Sequence, residues 1–213
     1  LDGGTGIDTL TGGDGSDVYY VRDVGDIVTE TNALASTGGT DLVYSYISSY
    51  TLTANVENGR IVTTAAANLT GNNLSNVIYA GAGNNILSGG AGTEIDTVSY
   101  AYGLSGTTGV TVDLSATAAQ ATVGSGNDTL SKIENVIGSA YADKLTGSSG
   151  TNVLTGGAGA DILKGNGGND IFDFNTLAEM GTSFVTWDVI SDFNFGDKID
   201  LSTLDANTAT TTN

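Results

Sequence analysis

An aspartate or asparagine recurs every nine residues along much of this chain, and the residue two places after it is apolar. Asp8, Asp17 and Asp26 keep that spacing, as do Asn76 and Asn85, with Asp96 eleven residues further on. Asp128 follows, and Asp143, Asn152, Asp161 and Asp170 close the series in strict nine-residue register. The apolar partners are Leu10, Tyr19, Val28, Leu87, Val98, Leu130, Leu145, Leu154, Leu163 and Phe172. Small residues precede the acids: GGTGID at 3–8, GGDGSD at 12–17, GGAGAD at 156–161 and the looser GNGGND at 165–170. Carboxylates beside glycine-rich turns offer a dense set of oxygen donors, the chemistry of Ca²⁺, which takes about six to eight of them. Other site chemistries fall away. Without Cys or His there is no disulfide, thiol nucleophile, Ser-His-Asp triad or ordinary zinc site.

Such acids need elements that hold them in line. Six small residues make a tight turn, with Gly where the backbone enters conformations closed to other side chains. The three residues that follow form a short strand whose apolar member points inward. Two nonamers then make a coil of 18 residues, stacking Asp8 over Asp26, Asp143 over Asp161 and Asn152 over Asp170. Strands of neighbouring coils lie about 4.8 Å apart, so stacked carboxylates repel unless a cation lies between them. Asn76, Asn85 and Asn152 supply oxygen without charge and predict weaker sites.

The nine-residue pattern GGxGxDxUx resembles the repeat of RTX proteins. That resemblance implies an all-β fold, a parallel β-roll (a β-helix solenoid) with calcium ions in the turns between coils. It further implies that sixth-place acids give carboxylates and that small residues of the turn give carbonyls. Carried over residue by residue, the acid positions are Asp8, Asp17, Asp26, Asn85, Asp96, Asp128, Asp143, Asn152, Asp161 and Asp170. The carbonyl donors are then Gly4, Gly6, Gly13, Gly15, Gly81, Gly83, Gly157, Gly159 and Gly168.

Composition narrows the partners. The 213 residues carry 24 acids against 6 bases, a net charge of −18, with 19 Asp but only 5 Glu. So few bases cannot neutralise a phosphate backbone, which excludes nucleic-acid binding. No apolar run approaches the roughly 20 residues of a membrane-spanning helix. Gly supplies 32 residues and Pro none, as suits a ladder that uses every N–H.

The expected organisation is an N-terminal repeat cluster over 1–30, spacer coils over 31–70 and a degenerate middle cluster over 71–98. A protruding strand or hairpin over 99–123, a C-terminal cluster over 124–173, and a cap with a Thr-rich tail over 174–213 complete it. Within the spacer, Thr40-Asp41-Leu42-Val43 again places an apolar residue two after an acid, and Arg22 and Arg60 are expected to pair with nearby acids. Asp113 and Glu134 could suggest a glycosidase-like acid pair. Without an aromatic cleft, they read as solvated acids on a strand face. The segment from Trp187 to Leu201 holds most of the large aromatics, fits the terminal unit a solenoid needs, and is similar to the segment after the roll in serralysin-type proteases.

The expected function is a non-catalytic module of a larger exported protein. A high negative charge keeps the metal-free chain expanded for passage through type I secretion machinery, and extracellular Ca²⁺ then turns binding energy into folding energy. Localisation is therefore expected to be secreted or cell-surface. The competing expectation is a calcium-dependent structural subunit of a surface layer, adhesin or filament, self-associating end to end.

Overall fold

A computed structural model describes residues 1–32, 37–104, 106–180 and 187–204. The last part of the expected Thr-rich tail, 205–213, lies outside them. Among the described residues there is no helix, and short strands alternate with tight turns. The first coil is β1 (Thr9–Thr11) with β2 (Val18–Val21), the second β3 (Ile27–Thr29) with β4 (Leu42–Ser45), and the third β5 (Ser49–Thr51) with β6 (Asn58–Ile61). The fourth is β7 (Asn68–Thr70) with β8 (Val77–Tyr79), and the fifth β9 (Ile86–Ser88) with β10 (Thr97–Ser99). An excursion then contributes β11 (Thr111–Asp113) and β12 (Gln120–Val123). The sixth coil is β13 (Gly126–Ser131) with β14 (Asn135–Ile137), and the seventh β15 (Lys144–Thr146) with β16 (Val153–Thr155). The eighth is β17 (Ile162–Lys164) with β18 (Ile171–Asp173), and the ninth β19 (Val189–Ile190) with β20 (Lys198–Asp200).

The second strands of all coils form one nine-stranded sheet in the order β2-β4-β6-β8-β10-β14-β16-β18-β20. Its partners are parallel throughout. The opposite face is divided into β1-β3, β12-β13-β9-β7-β5 and β11-β15-β17-β19. This is a parallel β-roll. Register is strict because a one-residue slip would turn every inward side chain out: Leu145 lies beside Leu163, and Leu154 beside Phe172. All ten apolar residues two places after an acid are at most 5% exposed. Each such aliphatic side chain contributes about 1.5–3 kcal/mol on burial.

Three departures from the sequence reading have physical causes. The segment expected to protrude is instead built into the second face: β11 pairs with β15, and β12 runs antiparallel to β13. Val110 and Val112 are fully buried, so that strand continues the inward column and needs a sheet partner. Arg22 pairs with Asp2 at 2.9 Å as expected. Among the described residues Arg60 pairs with no acid; its guanidinium lies 4.1 Å from the Tyr102 ring centroid and 5.6 Å from that of Tyr44. Those tyrosines flank it on the outward surface of the nine-stranded sheet, with Tyr44 directly across the ladder. Finally, the segment read as an atypical cap contains β19 and β20, which extend both faces by a further coil.

Candidate metal sites in the turns

The sixth-place residues form two ladders along the roll. Backbone N–H of Asp8 donates to Asp26 Oδ1 (3.1 Å), that of Asp143 to Asp161 Oδ1 (2.7 Å), and that of Asn152 to Asp170 Oδ1 (2.9 Å). The stacked pairs read from the 18-residue spacing are thus brought together. Asn76 N–H reaches Asp96 Oδ1 and Asn85 N–H reaches Asp128 Oδ1, both at 2.8 Å. Further acids join at unequal spacings. Asp17 N–H donates to Asp41, Asp41 N–H to Glu57 and Asp96 N–H to Glu134. Asp161 N–H donates to Asp188 and Asp170 N–H to Asp197. Sequence reasoning assigned none of these five later acids to a ladder. At Asp41, Glu134 and Asp188 the signal was an acid followed two places on by an inward apolar residue, Val43, Val136 or Ile190, whereas Glu57 is followed by Gly59 and Asp197 by the half-exposed Ile199. Glu134 therefore belongs to a turn, and Asp113, on β11, does not join it.

The leading glycine of each hexamer makes room for its own acid. A Cβ at Gly3 would overlap the Asp8 carboxyl, one at Gly12 both Asp17 and Glu30, one at Gly138 Asp143, one at Gly156 Asp161 and one at Gly165 Asp170. The second and fourth positions need positive φ, as at Gly157 (+88°) and Gly159 (+153°). Gly4, Gly6, Gly13, Gly15 and Gly168 share that property, while Gly81 and Gly83 do not.

Hydrogen bonding separates the turns into two kinds. Asp26 accepts from the N–H groups of Asp8, Arg22 and Asp23. Asp128 accepts from Asn85 N–H and the Thr122 hydroxyl, and Asp143 from Ser139 N–H, the Ser139 hydroxyl and Val110 N–H. The asparagines are self-sufficient as well. Asn85 Nδ2 donates to Gly81 O (3.0 Å) and Gly83 O (2.8 Å), so two carbonyls expected to face a cation face an amide. Asn76 Nδ2 donates to the carbonyls of Val56 and Glu57, and Asn152 Nδ2 to that of Glu134. In contrast, Oδ2 of Asp8, Asp161, Asp170 and Asp188 is buried without any donor. An orphaned buried carboxylate oxygen is costly unless a cation meets it. These turns fit a hard divalent cation. Asp17 differs again, its carboxylate clustering with those of Glu30 and Asp41 within 4.8 Å.

Burial raises the carboxyls in both kinds of turn. Burial pushes Asp161 up to about 7, helped by the charges of Asp188 and Asp143 and opposed by the Asp143 N–H. Burial likewise raises Asp170, Asp188 and Asp143, and lifts Asp96 and Asp128 to about 6. At Asp26 burial is outweighed by backbone N–H donors, and its carboxyl is lowered.

A two-faced parallel roll whose glycine turns aim carboxylates along its length is the architecture of a calcium-binding repeat protein. The particular repeat is the RTX calcium-binding nonapeptide repeat, of which the chain carries four copies, matched over residues 1–28, 70–95 and 134–175. Repeats of this family bind calcium ions. No curated protein matches the chain. The described residues contain no helix long and apolar enough to cross a membrane.

Proposed function

We propose that this chain is a non-catalytic module that Ca²⁺ orders after type I secretion of a larger protein. The observation that carries the reading is the set of donor-less carboxylate oxygens at Asp8, Asp161 and Asp170, all inside matched repeats. Asp8, Asp17, Asp161 and Asp170 are the acid ligands, with turn carbonyls of Gly4, Gly6, Gly13, Gly15, Gly157, Gly159 and Gly168 beside them. Asp26, Asp128 and Asp143 act mainly as ladder acceptors, and the Asn85 turn, with Gly81 and Gly83, closes on its own amide. When bound, calcium supplies positive charge between stacked carboxylates. The chain's six bases fall far short of its 24 acids, and one of them, Arg22, is spent on Asp2. In low cytosolic calcium the net charge of −18 favours an expanded chain, and millimolar calcium outside reverses the balance. Far-ultraviolet circular dichroism in chelator should show loss of β signal, with cooperative recovery on adding Ca²⁺ and poor recovery with Mg²⁺, which demands short octahedral contacts. An unchanged β spectrum in chelator would refute the proposal.

A further inference from the structure

We infer that the ion-binding column continues one coil past the glycine repeats, with Asp188 a calcium ligand beside Asp161. This rests on the calcium reading above but concerns residues outside the matched segments, which end at 175. Asp188 lies 27 residues after Asp161 rather than 18, and no glycine hexamer precedes it. The structure nevertheless places it in the column. Asp161 N–H donates to Asp188 Oδ1 at 2.8 Å, as Asp143 N–H donates to Asp161 Oδ1 at 2.7 Å. Immediately after them, Val189 pairs with Ile162 and Ile190 with Leu163, so strand register is kept across the longer loop.

Two buried oxygens then lack a donor in adjacent coils, Asp161 Oδ2 and Asp188 Oδ2, and Asp161 is wholly buried. The Glu179 carboxylate acts on both residues with the same sign of charge. No base appears among the groups acting on either. Two donor-less carboxylate oxygens in adjacent coils, in the field of a further acid and with no compensating cationic side chain among the described residues, call for a divalent cation. The ninth coil is thus held to the eighth by the same chemistry that joins the repeats.

Trp187, the single tryptophan, stands next to Asp188 and reports on the site. Tb³⁺ replaces Ca²⁺ at oxygen sites and emits when a nearby indole is excited. The wild-type chain should show saturable, indole-sensitised Tb³⁺ emission that excess Ca²⁺ displaces. Asp188→Asn keeps an oxygen for the Asp161 N–H but removes the charge. Its sensitised emission should fall at least about fivefold, and bound calcium, counted by elemental analysis, should fall by one ion per chain. Asp197→Asn, altering the other column of the same coil, should retain the sensitised emission. Absence of sensitised emission in the wild type would overturn the inference whatever the variants do. So would emission and ion count unchanged in Asp188→Asn, or equal loss in Asp197→Asn, which would indicate loosening of the coil. Calcium-induced β signal with any of these results would leave the general calcium reading standing.

Discussion

Asn85→Asp should convert a metal-independent turn into one that needs calcium. In the native chain Asn85 Nδ2 satisfies Gly81 O and Gly83 O at 3.0 and 2.8 Å, inside a residue that is 1% exposed. A carboxylate there removes both donors and turns its own oxygen toward two carbonyls. A buried polar group left unpaired costs about 1–3 kcal/mol. Gly81 O keeps the Ser125 hydroxyl at 2.7 Å, so the lower part of the combined range applies, about 2–3 kcal/mol. The same exchange creates a carboxylate facing two carbonyls, a cation site of the kind proposed around Asp161. At free calcium about a hundredfold above its Kd, a new site returns about 2.7 kcal/mol. Urea denaturation should therefore place the variant about 2–3 kcal/mol below wild type at calcium just sufficient to fold both. The gap should close at saturating calcium, with one additional ion per chain by calorimetry. A deficit that stays constant with calcium, at an unchanged ion count, would show that charge alone does not open this turn to metal and would refute the argument.

Two other outcomes follow from the same geometry. Asp128, fully buried, has its carboxyl raised by burial to about 6 from 3.8, so its contribution to stability is complete below the unfolded value and is lost as pH rises through about 6. Asp128→Asn should remove on the order of 2 kcal/mol of that pH dependence between pH 4 and 8, measured as the difference between wild-type and variant urea midpoints in calcium; identical pH slopes would contradict it. Arg60→Ala, which takes the guanidinium from Tyr102 and Tyr44, should destabilise by about 1–2 kcal/mol, with Arg60→Lys in between; no change in urea midpoint would mean the stack is incidental.

The roll itself was legible because period and pattern agree. The inward residue two places after each acid is forced by the strand's alternation, and the 18-residue coil is the sum of two nonamers. Distances along the chain, however, do not measure distances along the ladder. Asp41, Glu57, Glu134, Asp188 and Asp197 occupy ladder positions through hydrogen bonds that tolerate loops of any length outside the coil. None of their turns carries the full glycine hexamer that made the other positions visible, although Gly38 and Gly39 precede Asp41 and Gly196 precedes Asp197. The Asn85 turn misled for another reason. Composition shows that an amide brings oxygen without charge, but only the folded turn shows its nitrogen aimed at Gly81 O and Gly83 O. The excursion with β11 was readable as a strand, whereas its insertion beside β15 depends on an opening in the second face that no local pattern records.

Three chemistries fill the interior of these turns. Over Gly156 and Gly165 the short arm of Asp folds back and leaves one oxygen for a cation, whereas over Gly138 both oxygens of Asp143 are met by protein donors. Where Asn replaces Asp, its amide donates to neighbouring carbonyls and no cation is required. Where the glycine is gone, apolar side chains occupy the turn: Leu52 and Val56 precede Glu57, and Ile133 precedes Glu134, all buried. The longer Glu arm then reaches past that plug to take the N–H of the adjoining coil. On this argument the ion count follows carboxylate oxygens that no protein donor satisfies, rather than the number of repeats. The bound ions should gather toward the two ends of the roll, with the amide-closed and apolar-filled turns between them holding together without metal.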